Sequence, residues 1–350
     1  MPTAAPRPLL LLLVVLTVVA GAAAVTFGPA AAANPAAEPG SHALRGTGIG
    51  APLGSAPDSD CFGAAARDPQ RPCRDPKLRL TVVPKPDDAV LEPNSACTPF
   101  ERTKVLLPCA FGASPDDAEN TVALVGDSHA AHWRAALDVA AAGRTWRGVS
   151  LTHSGCPFSK AVAKLDDPAD LKECKAWNKA ALGWFTKHPE VTTVFVSQHT
   201  GGKVVVPSGS TNEKTQIAGY QAVWKALPKT VTRIFVIRDT PRNTGRTAGC
   251  VTRAMKAKKP AGPACAVPYA TAQDADPSVA AAKQYGGSRV KVIDLTSFMC
   301  SKRLCLPVIG GALVHKDNDH LTQTFSTTLG PYLLRAINRH GVPAPPAAEE

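Results

Sequence analysis

Aromatic side chains are scarce in this 350-residue chain, at 5% of its residues, and its lysines are scattered rather than gathered into a stripe. Both features exclude a nucleic-acid groove, which needs stacking platforms and a clustered basic face. No cysteine pair has the C-x-x-C spacing of a zinc knuckle, and no histidine is placed to complete one, so zinc and other metals are not expected. Only one long apolar run is present, which limits the chain to a single membrane segment. At this length the chain holds one sizeable core with appendages, not two full α/β domains.

The apolar run, Leu9 to Phe27, follows Arg7, carries no charge and passes into the small-residue stretch Ala30 to Ala33. Residues 1–33 therefore read either as a signal peptide with an A-x-A cleavage pattern or as a single membrane anchor. In both cases the remainder is expected outside the cytoplasm, secreted or anchored by this segment. Residues 34–59, rich in Ala, Pro and Gly, cannot bury a core and read as a tether. Residues 60–118 hold four cysteines and many prolines, a stapled lead-in with one strand expected at Leu78 to Val83.

Ten cysteines in an exported chain read as disulfides, and in order they fall into neighbouring pairs: Cys61 with Cys73, Cys97 with Cys109, Cys156 with Cys174, Cys250 with Cys265, Cys300 with Cys305. The formal charge of +11 suits anionic surroundings such as phospholipid headgroups or acidic wall polymers. The run KAKK at Lys256 to Lys259 reads as a solvated loop.

From Thr121 short apolar runs alternate with helical patterns. TVALVG, RGVSLTH, TTVFVSQHT, TRIFVIRDTP and RVKVIDLT supply five strands, with helices expected at His129 to Ala142, Leu171 to Thr186 and Glu213 to Ala226. Arg242 to Gly286 fits no strand and reads as an insertion pinned by Cys250 and Cys265. The alternation implies a three-layer α/β/α domain over residues 119–342 with a five-stranded parallel sheet and a crevice at the carboxyl ends of the strands.

GDSH stands where the first strand meets the first helix, which places Ser128 at the crevice with a helix N-terminus behind it. A serine needs a base oriented by a carboxylate. KDNDHLT, after the last strand, offers Asp317 and His320 three residues apart, as on one face of a helical turn. Asp319 is the second choice as orienter. Neither motif is specific alone, since a serine in GDS is more often a helix N-cap. What makes the pair informative is that GDS ends the first strand and D-x-x-H follows the last, in an exported chain whose crossovers bring both to one edge.

GDSHAAHW with DNDHLT resembles the SGNH hydrolase superfamily, and specifically the extracytoplasmic SGNH domains associated with acyltransferase family 3, which O-acylate cell-surface sugars. DCFGAA at Asp60, CAFG at Cys109, HSGCPF at His153, IRDTPRN at Ile237 and DLTSFMC before Cys305 carry the likeness in the same order. The resemblance implies a flavodoxin-like SGNH fold, Ser128 as nucleophile, His320 as base and Asp317 as orienting acid. It also implies oxyanion donors from Ser128, from a Gly after the second strand and from an Asn after the third. Gly155 matches the Gly. The Asn is missing from SQHTGG, where Gln198 is the preferred substitute over His199 or the Gly201 amide.

The activity so implied needs no cofactor: an acylated donor loads Ser128, and the acyl group, expected to be acetyl, passes to a cell-surface glycan hydroxyl. With water as acceptor the same acyl-enzyme is a carbohydrate esterase, and without an activated serine the domain is an idle glycan-binding module. Because acetyl-coenzyme A is cytoplasmic, transfer implies a separate multi-spanning membrane acyltransferase as partner. Other residues have blander readings. His129 and His132 lack a third metal ligand and are expected to line the pocket or pack on the sheet. Asp127 is expected to fix its turn, Arg238, Asp239 and Arg242 to form a salt-bridged or substrate-facing loop, and Trp177 and Trp184 to pack in the core.

Overall fold

The computed structural model describes residues 56–341. The N-terminal apolar run and most of the tether lie outside the described residues, among which no helix is long and apolar enough to cross a membrane.

One mixed sheet organises the fold. Its strands are β1 (Thr98–Pro99), β2 (Cys109–Gly112), β3 (Asn120–Gly126), β4 (Trp146–Thr152), β5 (Val191–Ser197), β6 (Arg233–Ile237) and β7 (Val290–Ile293), in the spatial order β1-β2-β4-β3-β5-β6-β7. The five strands β4, β3, β5, β6 and β7 are parallel, the flavodoxin-like order in which the chain reverses direction on either side of β3. The sheet is larger than the expected five strands because β2 pairs antiparallel with β4, and β1 with β2. Both extra strands come from the lead-in, which is thus part of the same sheet.

The parallel strands read as continuous apolar runs because both faces are covered. Alternate residues point to opposite faces. Val122 and Leu124 of β3 meet α2 (Arg134–Ala142) and α7 (Gln323–Arg339), with Trp133, Leu137, Phe325 and Leu329 in that layer. Ala123 and Val125 meet α3 (Pro168–Lys187) and α4 (Asn212–Ala226), where Trp177, Phe185 and Trp224 are buried. Trp177 and Trp184 are core residues on this face. Truncating a buried Trp of this kind costs about 3–5 kcal/mol. Helices α2 and α7 approach closely because Gly330 carries no side chain: a Cβ there would lie 2.3 Å from Val139.

One expectation fails for a physical reason. Leu78 to Val83 is not a strand: Pro76–Leu80 is a 3-10 helix, begun by Pro76 and capped by Asp75, whose side chain accepts from the Lys77 N–H. The insertion after β6 is largely helical, with α5 (Thr247–Lys256) and α6 (Pro277–Tyr285). Asp276 caps α6 by accepting from the Ser278 and Val279 N–H groups, and α6 leads into β7 as the crossover helix. Five disulfides join the sequence neighbours Cys61–Cys73, Cys97–Cys109, Cys156–Cys174, Cys250–Cys265 and Cys300–Cys305.

Candidate active site

Three strands end level. Gly126, the last residue of β3, is opposite Thr152 of β4 and Ser197 of β5, so the segments that follow open at one edge of the sheet. Gly126 is required there: a Cβ would lie 2.1 Å from the Ser197 carbonyl oxygen. Asp127 caps the short helix α1 (Ser128–Ala131), accepting from the His129 N–H at 2.9 Å through one carboxylate oxygen. Its other oxygen accepts from the His199 N–H at 2.9 Å, tying the loop after β5 to the turn that carries Ser128. Burial raises the Asp127 carboxyl above its usual range, opposed chiefly by His129 and the two N–H donors.

Asp317 and His320 do not share a helical turn. They occupy a loop closed by the Lys316 N–H on the His320 carbonyl and followed by α7, whose N-cap Thr322 accepts from Phe325. The loop after β6 clamps it: Asn243 N–H donates to the Asn318 carbonyl, and Thr240 Oγ1 to that of Asp319. The lead-in braces it too. Lys316 Nζ donates to the Glu92 carbonyl, and the buried Glu92 carboxylate accepts from the Thr324 N–H and hydroxyl.

Across this loop Ser128 Oγ lies 2.8 Å from His320 Nε2, and His320 Nδ1 lies 2.8 Å from Asp317 Oδ2. Asp317 Oδ1 accepts from the backbone N–H groups of Asp319 and His320. Partial burial would raise the Asp317 carboxyl. The His320 ring, by hydrogen bond and by charge, and these two N–H donors override that and hold it well below the usual carboxylate range. Asp317 thus stays ionised, an acceptor for His320 Nδ1–H, an arrangement that leaves Nε2 facing the Ser128 hydroxyl. Asp319 Oδ1 is also 3.2 Å from His320 Nδ1.

A cavity of about 230 Å³ beside Ser128 is lined by Gly155, His199, Leu165, Lys164 and Lys203 among others. Gly155 has φ +70°, a left-handed turn with open space where a Cβ would be. The Cys156–Cys174 disulfide and Asn178, whose amide donates to the Pro157 carbonyl, anchor that turn to α3. Gln198 is not placed as the substitute donor. Its side-chain oxygen accepts from the Phe158 N–H at 3.0 Å and its nitrogen lies 3.5 Å from the Phe158 carbonyl, so the buried amide faces away from the cavity.

Behind Ser128 is a second histidine–carboxylate pair that the sequence did not join. His129 Nδ1 lies 2.6 Å from Asp239 Oδ1, with both side chains buried. Burial alone would lower the His129 pKa; Asp239, by charge and hydrogen bond, lifts it to about 9. Asp239 is held below its usual value despite burial, chiefly by His129, and also accepts from the Thr200 N–H. His132 is buried and kept neutral by burial and the neighbouring cations, accepting from the Leu321 N–H. Arg238 pairs with Asp294 and Arg242 with Asp274, making the salt-bridged loop. Among the described residues, the groups able to gather round a cation are His129, Asp319 and His320, or His129, His132 and Asp239. A metal on the first set would take His320 from Asp317 or Ser128, and one on the second would compete with the 2.6 Å His129–Asp239 bond.

No curated protein matches the chain. Among solved structures, the periplasmic domain of a lipopolysaccharide acetyltransferase from Salmonella ser. Paratyphi A is similar in fold, with a TM-score of 0.50 and 16% identity over 63% of this chain and 85% of that one. Residues 96–335 match the family model described as the SGNH domain fused to AT3 domains, and the chain belongs to that family.

Proposed function

We propose that the protein is an extracytoplasmic serine O-acyltransferase in which Ser128 takes an acetyl group from an acylated donor and passes it to a cell-surface carbohydrate hydroxyl. The observation that carries this reading is the unbroken chain from Ser128 Oγ through His320 to Asp317, two contacts of 2.8 Å each. His320 takes the serine proton as Oγ attacks the acyl carbonyl and returns it to the leaving oxygen; Asp317 holds the ring and stabilises the imidazolium. Ser128 and Gly155 are oxyanion donors. The family's link to AT3 domains supports a multi-spanning membrane acyltransferase as the partner that delivers the acyl group. Residues 1–33 serve as signal peptide or anchor, residues 34–59 as tether, and residues 60–118 as the stapled lead-in to the catalytic domain of residues 119–342.

The test is covalent labelling with a fluorophosphonate probe together with p-nitrophenyl acetate turnover. The 350-residue protein is expected to label and turn over, and Ser128→Ala to lose both. Turnover unaltered in Ser128→Ala, or no labelling of the wild-type protein, sinks the assignment.

A further inference from the structure

The loop after β5 borders the cavity beside Ser128, and nearly every donor on it is already committed. The Gln198 amide is spent on Phe158. The His199 N–H donates to Asp127, the Thr200 N–H to Asp239, and the Gly202 N–H to the His199 carbonyl. On this loop, the side-chain donors that line the cavity are the His199 imidazole and the Lys203 ammonium, and of the two it is His199 whose own backbone N–H is tied to Asp127, the residue next to Ser128.

That ring is held in place without being used up. The His129 ring lies 4.5 Å away, centroid to centroid. Gly201 closes on it so tightly that a Cβ would come within 2.7 Å of Cε1. Nε2 stands 3.5 Å from Asp319 Oδ2, with the His199 side chain 39% exposed. A contact of that length is at the outer limit of a hydrogen bond, so a ring N–H remains free for a substrate oxygen. The backbone N–H groups on both sides of the imidazole, at His199 and Thr200, are fixed by buried carboxylates, which preorganises it.

We propose that His199 is a catalytic oxyanion donor, its imidazole N–H meeting the substrate carbonyl oxygen alongside the N–H groups of Ser128 and Gly155. This rests on Ser128 forming an acyl-enzyme. As the bond from Ser128 Oγ to the acyl carbon forms, the carbonyl π pair moves onto oxygen and the hydroxyl proton passes to His320 Nε2. Collapse returns the pair, breaks the bond to the donor's oxygen and gives that oxygen the proton. His199 donates a hydrogen bond throughout and transfers no proton; a neutral imidazole can polarise a carbonyl oxygen in this way.

The experiment measures p-nitrophenyl acetate kinetics for the 350-residue protein and for His199→Phe, His199→Ala and His199→Asn, with Ser128→Ala as the control. His199→Phe keeps a ring against His129 and Gly201 but removes the donor, and like His199→Ala is expected to lower kcat about 10²–10³-fold with KM little changed. His199→Asn restores an N–H and is expected to recover most of that loss. His199→Phe within about threefold of wild type overturns the proposal, as does an equal loss in all three variants, which marks a packing role. Absence of Ser128-dependent turnover in the wild-type protein overturns the underlying reading and this one together; a His199→Phe result alone leaves the acyl-enzyme standing.

Discussion

Two histidine–carboxylate pairs sit side by side in this site, with the His129 and His320 rings 4.8 Å apart, and their surroundings give the same chemistry opposite uses. His320 and Asp317 are 27% and 46% exposed, and His320 has a second partner in Ser128. His129 and Asp239 are 2% and 1% exposed, and their contact is 2.6 Å. An imidazole that is to gain and lose a proton, as the proposed acyl transfer requires, needs a second partner with which to exchange it. One sealed against a carboxylate keeps its proton and becomes a fixed charge that braces the β5 and β6 loops.

The comparison can be broken from either side. The largest effect is expected at the open pair: Asp317→Asn presents the wrong hydrogen-bonding partner to Nδ1 and should lower kcat about 10³–10⁴-fold in esterase assays, with the denaturation midpoint little changed. The sealed pair should answer in stability. Asp239→Asn leaves a buried imidazole without its counter-charge, at a cost of about 3–5 kcal/mol in chemical denaturation. If Asp239→Asn were as stable as wild type while Asp317→Asn unfolded, the assignment of roles would be reversed.

The pH dependence of stability comes next. Folding raises the His129 pKa from 6.5 to about 9, so the native state binds more protons than the unfolded chain between those values. The stabilisation is therefore complete below pH 6.5 and is lost as pH rises towards 9, by about 3 kcal/mol at 1.36 kcal/mol per pH unit. Denaturation midpoints in His129→Gln should lack this decline. The smallest effect is expected at Asp319, which stands 3.2 Å from His320, 3.5 Å from His199 and 3.9 Å from His129. Asp319→Asn should change kcat/KM by less than about tenfold, because Asp317 keeps the shorter bond to His320. A larger loss would make Asp319 the principal orienter.

The parallel strands were legible because burial on both faces writes them as unbroken apolar runs, and Ser128 because its motif sits on the strand–helix junction. The lead-in strands were not: CAFG at Cys109 is too short to show periodicity, and Thr98–Pro99 contains a residue that strands normally avoid. Residues 78–83 misled because apolar and polar residues alternate there, while the preceding Asp75 and Pro76 start a tight helical turn. Gln198 was chosen for its amide, yet which way a side chain leaves the end of a strand depends on its contacts, here Phe158, 40 residues away. The His129–Asp239 pair spans 110 residues and has no local signature; the signal within reach was that both follow carboxyl ends of parallel strands of one sheet, β3 and β6, with only β5 between them.

The antiparallel pair contributed by the lead-in has a consequence for solubility. Without it β4, a seven-residue strand, would present a full ladder of unpaired N–H and C=O groups on the outside of the sheet. With it, that side ends on Thr98–Pro99, two residues long and short of one N–H donor, and β2 behind it is fastened to the same segment by Cys97–Cys109. A neighbouring copy finds almost nothing there to zip onto, so the stapled segment guards this side of the sheet against edge-to-edge aggregation.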